Sequence, residues 1–256
     1  IEMNKLEKIY SDIKEVRIQG ATNIARAAVT AYLIDPSKKN KNKLLSLRPT
    51  EPMLANVLEY LEKWDKTKIL KHFEDAQDKI NKYVFKIIKN NSKIYTHCHS
   101  TNVVKALIYA KKKGKKFEIY NTETRPLYQG RKTASELAKS GIRVTTLVDS
   151  GMHEAIKDCD LILIGCDAIL NTGVINKIGS ASVAEIAWIH KKPLYVVADS
   201  WKYARSNIRI EERDFHEVWR NAPKRIKIIN PVFEKVEKKY IKGIVSEYGI
   251  LSYDNF

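Results

Sequence analysis

The stretch ASELAKSGIRVTTLVDSGMHEAIKDCDLILIG, residues 134–165, sets the fold class. Helix-forming ASELAKS ends at Gly141, a residue free to take the left-handed conformation that closes a helix. The β-branched run RVTTLV (143–148) starts almost at once, a short helix follows over 151–157, and the apolar DLILIG (160–165) reads as a second strand. Strand, helix, strand with short joints is the crossover unit of a parallel sheet. Working outward, KIYTH (93–97), FEIYN (117–121) and PLYVVAD (193–199) repeat the strand pattern. Helices are expected between them near 101–113, 133–140 and 180–190. The expectation is an α/β fold with a Rossmann-like, doubly wound, mainly parallel sheet.

Upstream the rhythm changes. NIARAAVTAYLI (23–34) carries apolar residues at helical spacing, and TEPMLANVLEYLEKW (50–64) offers Thr50 as a cap with Pro52 in the first turn. From Lys68 to Lys89, Ile69, Phe73, Ala76, Ile80, Tyr83, Val84 and Ile87 mark one face of a long helix. PSKKNKNK (36–43) reads as a polar connector. Residues 1–90 are thus expected to form a helical N-terminal cap, and residues 91–256 a Rossmann-like domain.

A chain of 256 residues with 44% apolar content can bury a full core. It has no run of about 18 uncharged apolar residues that could span a bilayer. The N-terminus lacks a signal-peptide apolar region, and Ile1 and Glu2 ahead of Met3 read as an added remnant. The cysteines Cys98, Cys159 and Cys166 form no CxxC pair, which suits a reducing, cytoplasmic setting. The net charge of +16 is spread over loops and helix ends. In KKKGKK (111–116), for example, lysines complement a helix C-terminus. With no zinc-finger spacing and no aromatic-plus-basic signature, a solvated basic surface is expected in place of nucleic-acid binding; such a surface still draws small anions.

Ligands of an open parallel sheet bind beyond the carboxyl ends of its strands. Those ends are THCHS, NTETRPLYQG, VDSGM, GCDAI and ADSWK, so Cys98 and Asp167 share one rim. A metal reading of Cys98 is awkward, because His97 and His99 share one face of an extended segment while Cys98 points to the other. Two readings stay open: a space-filling buried thiol, or a catalytic thiol whose pKa is lowered by the helix starting at Ser100 and Thr101. Asp167 taken alone reads first as a cap or turn former, and Cys159 and Cys166 read as structural. Lys177, Arg48 and Arg17 each stand just before a helix start, where a cation opposes the dipole unless an anion lies between. Arg125 adds a cation on a strand-end loop. Together they favour a ligand bearing one or two phosphates. With no GxGxxG after the first strand and no GxxxxGK[ST], neither a dinucleotide nor a P-loop nucleotide is indicated.

In order and spacing, THCHS, TETRPLYQGRKTASELAKSGIRVT, VDSGM, GCDAILNTGVINKIGS and INPVFEKV…SEYGIL resemble one superfamily. It contains ribose-1,5-bisphosphate isomerase, methylthioribose-1-phosphate isomerase and the regulatory subunits of initiation factor 2B. RIQGATNIARA and LRPTEPMLANVL extend the resemblance nearly end to end, and VRIQGA, TETRPLYQG and VDSGM read most like the archaeal bisphosphate isomerases. The resemblance implies a catalytic pair of Cys98 and Asp167. It also implies phosphate or sugar contacts from Arg17, Gly20, Ala21, Arg48, Gln129, Asn176, Lys177 and Lys202. Departures are Gln19 where arginine is usual, Cys166 for alanine, His99 for a frequent asparagine, a short cap, and VEKKYIKGIV in place of a Pro-containing segment.

The function so implied is aldose–ketose isomerisation of ribose 1,5-bisphosphate to ribulose 1,5-bisphosphate, without a metal or redox cofactor. The assembly implied is a homo-oligomer, a dimer or a dimer-based hexamer. The rivals are methylthioribose-1-phosphate isomerase, which needs an apolar pocket at the far end of the sugar, and a non-catalytic subunit sensing a sugar phosphate or nucleotide. The retained Cys98 and Asp167 speak against the latter.

Overall fold

The computed structural model describes residues 4–15, 17–18, 20–205, 208, 210 and 212–256. Among them the chain opens with five helices: α1 (Lys5–Lys14), α2 (Ala21–Ile34), α3 (Lys38–Leu47), α4 (Pro52–Tyr60) and α5 (Lys66–Ile87). Strands and helices then alternate as β1 (Ser92–His97), α6 (Thr101–Lys112), β2 (Phe117–Thr122), α7 (Gln129–Lys139), β3 (Arg143–Leu147), α8 (Met152–Lys157) and β4 (Leu161–Ile164). A hairpin of β5 (Ala168–Leu170) and β6 (Gly173–Lys177) precedes α9 (Ser180–Ile189) and β7 (Leu194–Val197). The chain closes with β8 (Phe233–Glu237), β9 (Gly243–Ser246) and β10 (Gly249–Leu251).

The large sheet runs β10-β9-β7-β4-β1-β2-β3, parallel throughout except for β10 on β9. Its centre is apolar because helices cover both faces: all four residues of β4, LILI, are buried. The edge strand β3, RVTTL, is polar and half-exposed, as an edge that must not recruit another chain should be. Strand order reverses between β1 and β4, which opens a crevice at their carboxyl ends. The expected strands and crossover helices are therefore present, α7 beginning four residues earlier than read. The small antiparallel sheet β5-β6-β8 is an addition that strand alternation did not announce.

Helix α5 joins the helical half to the sheet. Ile69 and Phe73 pack with Met53, Val57 and Trp201, while Ile80 and Val84 pack with Val103, Leu107 and Ile94 of the sheet layer. The long apolar face read from the sequence serves two cores in succession. Two expectations need correction. Residues 36–43 are no connector, because Lys38–Leu47 form α3. Ser37 caps it by accepting from the Asn40 N–H at 3.2 Å. Leu44 enters the helical core, and buried Asn40 accepts from the Tyr10 hydroxyl at 2.5 Å and donates to the Ala31 carbonyl at 3.0 Å. The lysines masked an amphipathic helix. Thr50 is buried one position too early to cap α4, whose N-cap position is Glu51 with Pro52 at the first helical residue.

Candidate active site

Cys98 follows the last residue of β1 and is held in the left-handed region at φ 62°. A non-glycine residue keeps that conformation only where its surroundings impose it, which is common at functional sites. Here both of its peptide groups are gripped: its N–H donates to Thr124 Oγ1 at 3.2 Å, and its carbonyl accepts from Thr133 Oγ1 at 2.8 Å. The Thr133 hydroxyl hydrogen is thereby committed, so His99 Nδ1, 3.0 Å from Thr133 Oγ1, is the donor in that contact. His97 Nε2 donates to the Ile178 carbonyl at 2.9 Å. The flanking imidazoles thus brace the backbone around Cys98, each turned toward a different partner. Burial pushes the pKa of both rings down.

Asp167 arrives from the other side of the crevice. It follows β4 and leads into the β5–β6 hairpin, and its N–H donates to the Ile175 carbonyl at 2.8 Å. In the hairpin Ala168 faces Ile175, so the register carries Asp167 opposite Asn176, with Lys177 the next residue along β6. One short hairpin therefore carries a carboxylate, an amide and an ammonium to the same rim. Asn176 Nδ2 donates to Ser180 Oγ at 2.8 Å, and the Ser180 hydroxyl donates to the Lys177 carbonyl at 2.6 Å, tying the hairpin to the start of α9.

One cavity brings together Cys98, Asp167, Gly20, Ala21, Arg48, Gln129, Asn176, Lys177 and Lys202. Arg17 and Arg125 are not among the residues lining it. Arg17 is exposed and pairs with Asp12 at 2.7 Å and with Glu15. The Arg125 guanidinium donates to Tyr128 Oη at 2.6 Å and to the Val218 carbonyl at 2.8 Å. Gln19 lies outside the described residues. The cavity also takes in Ser100, Thr101 and Asn102 at the start of α6, together with Glu51, Leu127, Arg213, Val232 and Phe233. Of these, Ser100 and Thr101 were signalled as helix caps; Arg213 stands in a stretch without periodicity and carried no signal.

The electrostatics favour an anion. The Lys177 side chain is buried, and among the described residues no carboxylate comes within 4.0 Å of its ammonium. Desolvation by that burial lowers its pKa. Lys202 is also buried and donates to two neutral acceptors, the Cys166 carbonyl at 2.7 Å and Asn102 Oδ1 at 3.3 Å. Burying cations without counter-ions is costly unless a ligand supplies the charge. Arg48 is paired with Glu51 at 3.3 Å. Gly20, at φ 86°, starts α2 without a side-chain cap, leaving backbone N–H groups at the cavity. The thiol overturns one expectation. The start of α6 is nearby, yet burial pushes the Cys98 pKa up from the ordinary 9.0 to about 12, against the smaller opposing influence of the His99 N–H and Lys177. Desolvation is the largest influence on it, and the resting group is a neutral thiol.

The model of the initiation factor 2 subunit family matches residues 17–253. The chain is 34% identical to the ribose 1,5-bisphosphate isomerase of Methanocaldococcus jannaschii, over 98% of this chain and 92% of that protein. It is 30% identical to the ribose 1,5-bisphosphate isomerase of Archaeoglobus fulgidus, over 97% and 90%. Among solved structures, the Pyrococcus horikoshii translation initiation factor eIF-2B superposes with a TM-score of 0.86 at 24% identity, over 98% of both chains, a likeness of fold. A family match over residues 17–253 and nearly end-to-end agreement in sequence lead to one conclusion: the chain belongs to the initiation factor 2 subunit family.

Proposed function

We propose that the chain is an aldose–ketose isomerase acting on a sugar phosphate, converting ribose 1,5-bisphosphate to ribulose 1,5-bisphosphate, with Cys98 and Asp167 as its proton-transfer pair. The observation that carries the reading is the single cavity in which that pair meets two buried ammoniums, Lys177 and Lys202. The names of the relatives at 34% and 30% identity agree with it. The cations and the start of α2, whose N-cap Gly20 has no capping side chain, would hold phosphates and fix the sugar against the acid–base groups, which is the positioning part of the rate.

The substrate's 1-phosphate blocks simple ring opening, so ring cleavage and proton removal must be joined. In the proposed sequence, a proton from Asp167 reaches the ring oxygen as the C1–O bond breaks, and Cys98 sulfur takes the C2 proton to leave an enol phosphate. Cys98 then returns that proton to C1, and Asp167 recovers one from the C2 hydroxyl, leaving the ketone. Each group ends as it began, so protons balance. At rest burial keeps the Cys98 proton on sulfur, so the thiol must give it up before it can take the C2 proton. The same reading assigns residues 1–90 to the cap and 91–256 to the catalytic unit, and the active form to a homo-oligomer.

The test is turnover of ribose 1,5-bisphosphate and, separately, of methylthioribose 1-phosphate by the chain and by Cys98→Ser. Cys98-dependent formation of ribulose 1,5-bisphosphate is the expected outcome. Turnover of the second sugar alone would move the assignment to methylthioribose-1-phosphate isomerase. Silence on both, with sugar-phosphate binding intact, would mark a sensing subunit.

A further inference from the structure

The apolar face of α5 is broken by two buried amides, Gln77 and Asn81. Buried amides need partners, and Gln77 finds most of its own outside its helix. Its Nε2 donates to Asn81 Oδ1 at 2.7 Å and to the Asn102 carbonyl at 3.3 Å, and its Oε1 accepts from Asn102 Nδ2 at 2.9 Å. Asn102 Oδ1 in turn accepts from Lys202 Nζ at 3.3 Å.

Direction in this chain is dictated from its far end. An ammonium offers only donors, so Asn102 must show it oxygen; its NH₂ then faces Gln77, which must show oxygen in return. Reversing the Asn102 amide would bring N–H groups against the ammonium and push it away. Lys202 spends two of its three N–H groups on Asn102 and the Cys166 carbonyl, and the remaining one is available to a ligand in the cavity. We propose that Gln77, which does not line the cavity, is a positioning residue: it fixes the orientation of Asn102 and thereby aims Lys202 at a phosphate group. The proposal rests on the reading of the cavity as a sugar-phosphate site.

The experiment is calorimetric titration of the full chain with ribulose 1,5-bisphosphate, for the wild type, Gln77→Met, Gln77→Glu, Lys202→Met and the double variant Gln77→Met/Lys202→Met. Gln77→Met is expected to weaken binding about 10-fold, the worth of a hydrogen bond to a charged group. Gln77→Glu keeps an oxygen toward Asn102 but loses the two N–H bonds to Asn81 Oδ1 and the Asn102 carbonyl, so it is expected to weaken binding by less than Gln77→Met does. In the Lys202→Met background Gln77→Met is expected to change nothing further, because coupled residues do not add. Equal weakening by Gln77→Met in both backgrounds would assign Gln77 to packing and overturn the proposal. Loss with Gln77→Glu as large as with Gln77→Met, in a folded chain, would overturn it as well. If Lys202→Met weakens binding while both Gln77 variants bind as the wild type does, this proposal fails and the phosphate reading stands. If the wild type does not bind, or Lys202→Met binds as well as the wild type, both fail together.

Discussion

Alkylation of Cys98 tests the electrostatics of the site most directly. Burial takes the thiol from 9.0 to about 12. At pH 7 the thiolate fraction is therefore about 1,000-fold below that of an ordinary cysteine, tenfold for each pKa unit. A more basic thiolate is intrinsically more nucleophilic, and a Brønsted slope of about 0.4–0.5 over three units restores roughly 16- to 32-fold. The balance is labelling by iodoacetamide about 30- to 60-fold slower than a free cysteine peptide, with access to the half-buried sulfur slowing it further. The sign follows from the protonation state: because the unreactive thiol dominates below the pKa, the rate climbs about tenfold per pH unit from 7 to 9, without a plateau. Timed quenches read by peptide mass mapping separate Cys98 from Cys159 and Cys166, which are buried and whose pKa values are likewise pushed up to about 12. Labelling at the free-peptide rate, or a plateau below pH 8, would refute the reasoning and show that Lys177 and the start of α6 outweigh desolvation.

Three further outcomes follow from the packing. Lys177→Met removes a buried cation without an ion-pair partner among the described residues; KM for the sugar bisphosphate should rise at least about 10-fold, with no fall in the ligand-free melting temperature. Turnover and thermal denaturation measured side by side check both halves. Gly130→Ala places a Cβ 1.8 Å from the Thr122 carbonyl oxygen, so α7 must lift from β2, costing about 3 kcal/mol in urea unfolding. Thr133→Val keeps the shape but deletes the hydroxyl that grips the Cys98 carbonyl. It should lower kcat about 10-fold at near-constant KM, and a matching rise in KM instead would place Thr133 in binding.

The parallel sheet is legible in the sequence because each central strand is a short apolar run between turn signals, and because crossover helices leave only one rim for ligands. Cys98 and Asp167 reach that rim for this reason. The rest eludes pattern reading wherever long-range packing decides. Nothing local says that desolvation is the largest influence on Cys98, or that Gln77 and Asn81 sit inside an apolar face. The β5–β6 hairpin is the instructive case, since AILNTGVINK holds two apolar runs around an Asn-Thr-Gly turn. Its register decides the site, for slipping β6 by one residue would exchange the faces of Asn176 and Lys177. β5 has three residues and is too short to hold register alone; β6 gains it from β8, along which Gly173–Lys177 pair with Phe233–Glu237. At Gly173 the two strands approach so closely that an added Cβ would stand 2.1 Å from the Val236 carbonyl oxygen. The Lys177 ammonium is thus placed by a strand some sixty residues further along the chain, so β8 and the INPVF segment (229–233) that leads into it belong to the construction of the site as much as the strand ends that a sequence reading singles out.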